Sequence, residues 1–273
     1  MTMHVFPPPL DRRYSIVDGK VATRSLESHV VDHCNLTCAE CCSLSPLLPR
    51  WQIDLADFAR DLGFAARAFA PRVFKLVGGE PLLHPDLVGL ARIARRSGIA
   101  QTISVTTNGV LLPRASDALW EAVDAITISL YPRPALDPEA IMHIEERAAR
   151  FHVALNWKPQ GEFVVMTRDE PTADTAETTR IYDGCWLRER CHLVRDGMFY
   201  TCTRPPHFTT YHRGIRDFAE DGIPLADPDL RGRVLAYLSR KQPLAACAHC
   251  LGGGAALVPH RLLTHDELVR LRQ

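Results

Sequence analysis

No run of apolar residues in this chain approaches the ~18 needed to cross a bilayer. The N-terminal stretch MTMHVFPPPL has neither the charged start nor the apolar centre of a secretory signal. Charge of one sign is not in excess either. The 32 Lys and Arg balance the 32 Asp and Glu, which argues against a nucleic-acid or anionic-membrane partner. Lysine is scarce, at Lys20, Lys75, Lys158 and Lys241 only, a composition that reads as coding bias rather than mechanism. These absences lead to the expectation of a cytoplasmic protein with no membrane and no nucleic-acid partner.

What the chain does have is cysteine. Nine in 273 residues is many, and the number is odd. Where thiols stay reduced, clustered cysteines serve metal binding or catalysis rather than disulfides. The length suits one large domain, or one domain with a small appendage.

Hydrophobic periodicity organises the rest. Residues 1–27 read as an N-terminal arm, broken by Pro7 to Pro9, with a short hairpin over 15–24 turning at Asp18-Gly19. Strands are predicted over 28–33, 73–77, 101–107, 125–130 and 151–157. Between them, helices are predicted over 54–70, 85–97 (stopped by Gly98), 116–123 and 138–150. Such alternation predicts an α/β fold, a parallel sheet with right-handed crossovers closing into a partial (β/α)6 barrel over 28–175. The pattern weakens after Lys158. Residues 160–183 look like a linking segment, and 176–273 are expected to form a small cysteine-rich domain in which bound metal substitutes for a core.

The first cysteine group is Cys34-Asn35-Leu36-Thr37-Cys38-Ala39-Glu40-Cys41, a C-x3-C-x2-C run directly after a predicted strand, with Cys42 adjoining. Three soft thiolates on one loop suit zinc or an iron–sulfur cube with one open iron. Structural zinc usually takes four closed ligands, so an open triplet favours chemistry. This run resembles the signature of the radical S-adenosylmethionine superfamily. The resemblance implies a [4Fe–4S] cluster on Cys34, Cys38 and Cys41, with S-adenosylmethionine on its open iron as the source of a hydrogen-abstracting radical. It also implies an electron donor such as flavodoxin or ferredoxin. One departure is Glu40, where the family commonly has an aromatic residue near the adenine. Gly78-Gly79-Glu80-Pro81 resembles the family's glycine-rich cofactor segment. Thr106-Thr107-Asn108-Gly109 and Ser129 resemble its polar strand ends. From these the resemblance implies that Gly78, Gly79, Glu80, Thr106, Asn108 and Ser129 contact the cofactor. All lie at the C-terminal ends of strands, where parallel barrels gather their active sites.

A second group follows in the tail: Cys185, Cys191, Cys202, Cys247 and Cys250, the last two spaced C-x2-C. Residues 184–254 resemble the twitch domain, a shortened SPASM domain with one auxiliary [4Fe–4S] cluster. The resemblance implies Cys185, Cys202, Cys247 and Cys250 as its ligands, with Cys191 the rival first ligand and a zinc ribbon the alternative.

Alternation along 151–158 places His152, Asn156 and Lys158 toward the barrel interior, with Tyr131 and Arg133 at its mouth. This lining suits a small polar substrate. Compact relatives with a twitch domain include 2-deoxy-scyllo-inosamine dehydrogenase, so the resemblance implies a carbohydrate- or aminocyclitol-like substrate. Thirty-three residues before Cys34 are too few for the leader-binding domain of peptide-modifying relatives, so modification of a ribosomal peptide is the less favoured expectation. Oxidation of an alcohol to a ketone competes with epimerisation, for which Cys42 or Cys191 would be the hydrogen-donating thiol. The catalytic candidates are therefore Cys42, Cys191 and Lys158. A non-enzymatic zinc or iron–sulfur protein would leave the strand-end motifs without a role.

Overall fold

The computed structural model describes residues 14–212 and 217–272. The prolines of the N-terminal arm lie outside the described residues. Strand β1 (Ile16–Val17) turns at Asp18-Gly19, both in the left-handed region, and pairs antiparallel with β2 (Lys20–Val31). The hairpin is as expected, but the strand after it starts at Lys20 rather than residue 28, so residues 20–27 of the supposed arm are sheet. Buried polar residues such as Thr23, Ser25 and Glu27 hid this strand from a reading based on apolar runs.

From there the units alternate: α1 (Leu55–Ala68), β3 (Phe69–Gly78), α2 (Leu87–Ser97), β4 (Thr102–Thr107), α3 (Asp117–Ala122), β5 (Ala125–Leu130), α4 (Pro138–Phe151) and β6 (Ala154–Pro159). Each helix starts where the local chemistry permits. Asp54 accepts the N–H groups of Ala56 and Asp57 ahead of α1, and Asp137 accepts that of Ala140 with Pro138 behind it. Gly98 closes α2 in the left-handed conformation. Strands β2 to β6 are parallel neighbours in chain order.

Their two faces divide cleanly. Phe74, Leu76, Ile103, Val105, Ile126 and Ile128 are fully buried against the helices. Lys75, Ser104, Thr127 and Ser129 alternate with them and face the barrel interior. The apolar face contributes roughly 2 kcal/mol per large side chain removed from water, and so polar residues are tolerated on the other.

Past β7 (Glu162–Val164), α5 (Thr175–Gly184) begins near the expected boundary. The tail is nevertheless not a separate layer. After α6 (Leu187–Arg190), β8 (Leu193–Arg195) joins β2 in parallel on the edge opposite β3. Strand β9 (Met198–Tyr200) pairs with β8. Beyond α7 (Arg204–Tyr211), β10 (Ile223–Pro224) pairs with β9. Val194, Phe199 and Ile223 share the main core. Cys250 and Phe208 join Leu44, Leu48 and Met166 in a second one. Helix α8 (Leu230–Leu238) covers this edge, β11 (Leu257–Pro259) pairs with β7, and α9 (His265–Arg272) ends the described chain. Scattered apolar residues, among them Tyr182, Val194, Phe199, Ile223 and Leu225, hold the tail to the barrel. Among the described residues, no helix is long and apolar enough to cross a membrane.

Candidate active site and second cysteine centre

Strand β2 delivers the chain into the first cysteine loop at the C-terminal end of the sheet. Cys38 is buried, and Cys34 and Cys41 are half-buried. Burial first, and the neighbouring cysteines second, push the Cys38 and Cys41 thiols up to about 12. Such crowded thiols become thiolates when a metal replaces their protons. Three of them on one loop fit a [4Fe–4S] cube with an open iron.

The strand-end motifs hold this loop. A Cβ on Gly79 would lie 2.1 Å from the His33 carbonyl oxygen, and one on Gly78 would lie 2.2 Å from that of Val31. Only glycine lets the end of β3 approach the loop so closely, which allows Gly79 N–H to donate to Val31 C=O at 2.8 Å and Glu80 N–H to His33 C=O at 3.1 Å. Glu80 is fully buried, and its carboxylate accepts from Thr107 Oγ1 (2.7 Å), Asn108 N–H (2.8 Å) and Leu82 N–H (3.1 Å). Through these three bonds the Glu80 side chain acts as a staple between strand ends. Asn108 donates to Asn35 Oδ1 at 2.7 Å and reaches to 3.7 Å from Cys34 Sγ, beside the first thiol. Thr106 and Ser129 lie on the interior face, in register with Thr127 and Lys158 respectively.

Glu40 is exposed and left-handed, with φ 55°. Aromatic surface comes instead from elsewhere. Tyr131 stacks on His260 at a ring separation of 4.9 Å, Phe163 lies tilted against it at 5.3 Å, and His260 Nε2 lies 3.2 Å from Cys38 Sγ. His260 was missed because 222 residues separate it from Cys38. The same tail segment brackets the loop through Leu263 N–H to Thr37 C=O and Ala39 N–H to Arg261 C=O. Below the loop, Arg195 grips both Asp32 carboxylate oxygens, at 2.6 and 2.8 Å.

Inside the barrel, Asn156 donates to Thr127 Oγ1 at 3.3 Å, and Lys158 follows it on the same face, exposed near the end of β6. His152 is corrected: β6 starts at Ala154, and His152 is the exposed left-handed residue that caps α4, so it does not reach the interior. Arg133 is exposed beyond Tyr131. Two interior residues were missed, Glu27 and Lys75, whose Nζ donates to Glu27 Oε2 at 2.5 Å. Burial alone would raise the Glu27 carboxyl, but Lys75 and His29 pull it down to about 2. The backbone leading into β8 crosses here. Arg190 C=O accepts Ser25 Oγ at 2.9 Å, and the Cys191 thiol next to it lies within the electrostatic reach of Glu27 and Lys75. Burial first, then Glu27, raises the Cys191 thiol, so it stays protonated. Cys42 is exposed.

The remaining four cysteines meet elsewhere. Cys185, Cys202, Cys247 and Cys250 line one cavity with Tyr182, Leu187 and Arg204, and Cys191 does not reach it. Gly253 N–H points to Cys185 Sγ at 3.4 Å, and Gly252 N–H to Cys250 Sγ at 3.3 Å. Burial first, then its cysteine neighbours, raise the Cys202 thiol well above its ordinary value. Four converging sulfurs with backbone N–H donors in an apolar hollow fit a closed iron–sulfur site.

Fold and loop define the class. Residues 29–131 match the model of the Radical SAM superfamily, and this part of the chain is a Radical SAM domain, which implies a [4Fe–4S] cluster and S-adenosylmethionine. Among curated proteins, the chain is 37% identical over 119 residues to the GTP 3',8-cyclase of Chlorobaculum tepidum, covering 43% of this chain and 35% of that one. To the GTP 3',8-cyclase of Microcystis aeruginosa it is 32% identical over 140 residues, covering 48% and 41%. The chain thus spans well under half the length of these relatives. Among solved structures, BtrN in an open conformation aligns over 85% of this chain and 94% of its own at 14% identity, with a TM-score of 0.46. The structure of anSMEcpe with bound AdoMet aligns over 79% and 80% at 14% identity, with a TM-score of 0.47.

Proposed function

We propose that this radical SAM enzyme oxidises an alcohol carbon of a small polar, carbohydrate- or aminocyclitol-like substrate to a ketone. The observation that carries the reading is the convergence of Cys185, Cys202, Cys247 and Cys250 on one cavity. A closed set of four thiolates leaves no iron for substrate and suits electron transfer. When bound, the cofactors supply a hydrogen-abstracting radical and a one-electron acceptor. Oxidation of CH–OH to C=O removes one hydrogen atom, one proton and one electron, so the acceptor closes the balance. The chain's own residues do the rest. Asn156, Thr127 and Lys158 line the interior with groups that bind hydroxyls. The neutral Glu27–Lys75 pair and Cys191 complete that lining without an excess charge.

Epimerisation is the second reading, favoured by the protonated Cys191 thiol in the interior. One experiment separates the two. The reduced enzyme is incubated in deuterated water with S-adenosylmethionine and a panel of aminocyclitols and sugars. GTP joins the panel because of the relatives' name. A product two mass units lighter supports oxidation. An isomer carrying one deuterium at carbon, with Cys191→Ala losing it, sinks oxidation in favour of epimerisation. A cyclised nucleotide sinks both.

A further inference from the structure

Arg204, the first residue of α7, is 2% exposed. Its Nη1 donates to the Cys42 carbonyl at 2.8 Å and its Nη2 to Thr167 Oγ1 at 2.5 Å. The guanidinium lies 4.4 Å from the Phe208 ring centroid, and its Nε is buried with no partner. It lines the four-cysteine cavity beside Cys250.

The other cations in the interior are paired, Lys75 with Glu27 and Arg195 with Asp32. Among the described residues, Arg204 has no carboxylate partner. A buried cation without a counter-charge costs several kcal/mol and persists only where something negative offsets it. The adjoining cavity presents four sulfurs that carry negative charge once a metal binds.

We propose that Arg204 is the counter-cation of the auxiliary cluster, which it ties to the first cysteine loop through the Cys42 carbonyl. The inference rests on the reading that Cys185, Cys202, Cys247 and Cys250 hold that cluster. A cation in a low-dielectric setting favours the more negative, reduced state, so Arg204 raises the reduction potential of the auxiliary cluster above what its sulfurs alone would set.

The test uses the full chain, reconstituted anaerobically, with the first site emptied by joint Cys34→Ala, Cys38→Ala and Cys41→Ala substitution so that only the auxiliary signal remains. A potentiometric titration followed by electron paramagnetic resonance is run with Arg204, Arg204→Lys and Arg204→Met. The expected result is a midpoint displaced to more negative potential in Arg204→Met and nearly restored in Arg204→Lys. Should Arg204→Met lose the cluster, retention in Arg204→Lys supports a role for the charge, and loss from both variants overturns it. An unmoved midpoint in a loaded Arg204→Met protein overturns the inference alone. A triple-alanine parent that binds no iron–sulfur cluster overturns the inference together with the reading beneath it.

Discussion

Glu80 accepts the backbone N–H of Asn108 at 2.8 Å, so the second residue past β3 holds the residue just past β4, and Asn108 in turn reaches the Cys34 side. Glu80→Ala leaves the Asn108 N–H and Thr107 hydroxyl buried without their acceptor, at about 1–3 kcal/mol each. We expect a destabilisation of several kcal/mol in urea unfolding and a sharp loss of iron from the first site. Glu80→Gln, which keeps the shape but loses the charge, should fall between the two. An unaltered Glu80→Ala protein would remove the staple from the account.

Gly79→Ala places a methyl group 2.1 Å from the His33 carbonyl oxygen, and that neighbour is backbone, which cannot swing aside. Overpacking of this kind costs about 1–3 kcal/mol or more. The strain should fall on the first cysteine loop, lowering S-adenosylmethionine cleavage while the tail cysteines keep their metal. Iron content measured alongside cleavage would show it.

The proposed auxiliary cluster predicts that serine in place of Cys185, Cys202, Cys247 or Cys250 reduces iron from about eight per chain toward about four. Cys191→Ser should leave iron unchanged, because Cys191 lies in the barrel interior and the other four share a cavity. Loss of iron from Cys191→Ser with full iron in Cys185→Ser would reverse that assignment.

His192 is fully buried between Tyr14 and the Arg188 carbonyl, and burial lowers it from 6.5 to about 4. Between those values the unfolded chain takes up a proton that the folded chain refuses. Stability from this group is therefore complete above pH 6.5 and lost as pH falls toward 4, by about 3 kcal/mol in full. Glu27 adds a second loss only below pH 4.5, as its carboxyl titrates down toward about 2. Thermal melts from pH 7 to 4 check this, and His192→Asn should flatten the upper part of the curve.

Much of the barrel was legible because its elements follow one-dimensional rules. Strand β5 occupies the predicted residues, Gly98 stops α2 as expected, and Phe151 misled only because a helix end and a strand start were merged. Strand β2 was half hidden, since its interior face is polar in a buried setting and its alternation looks like loop. The cysteine triplet and the glycine pair could be read as motifs because their spacing is local. That Gly78 and Gly79 also let the end of β3 approach the backbone of Val31 and His33 cannot be read from spacing.

By itself the sequence determined the alternating fold, the three-cysteine loop at a strand end and the interior placing of Asn156 and Lys158, because periodicity of 2 and 3.6 decides which side chains share a face. Only the tertiary structure decided which tail cysteines converge, that Cys191 turns instead into the barrel, and that Arg204 and His260 close on the first loop from far along the chain. Those contacts go with the pairing of β8 with β2 and of β11 with β7, long-range pairings that no local pattern encodes.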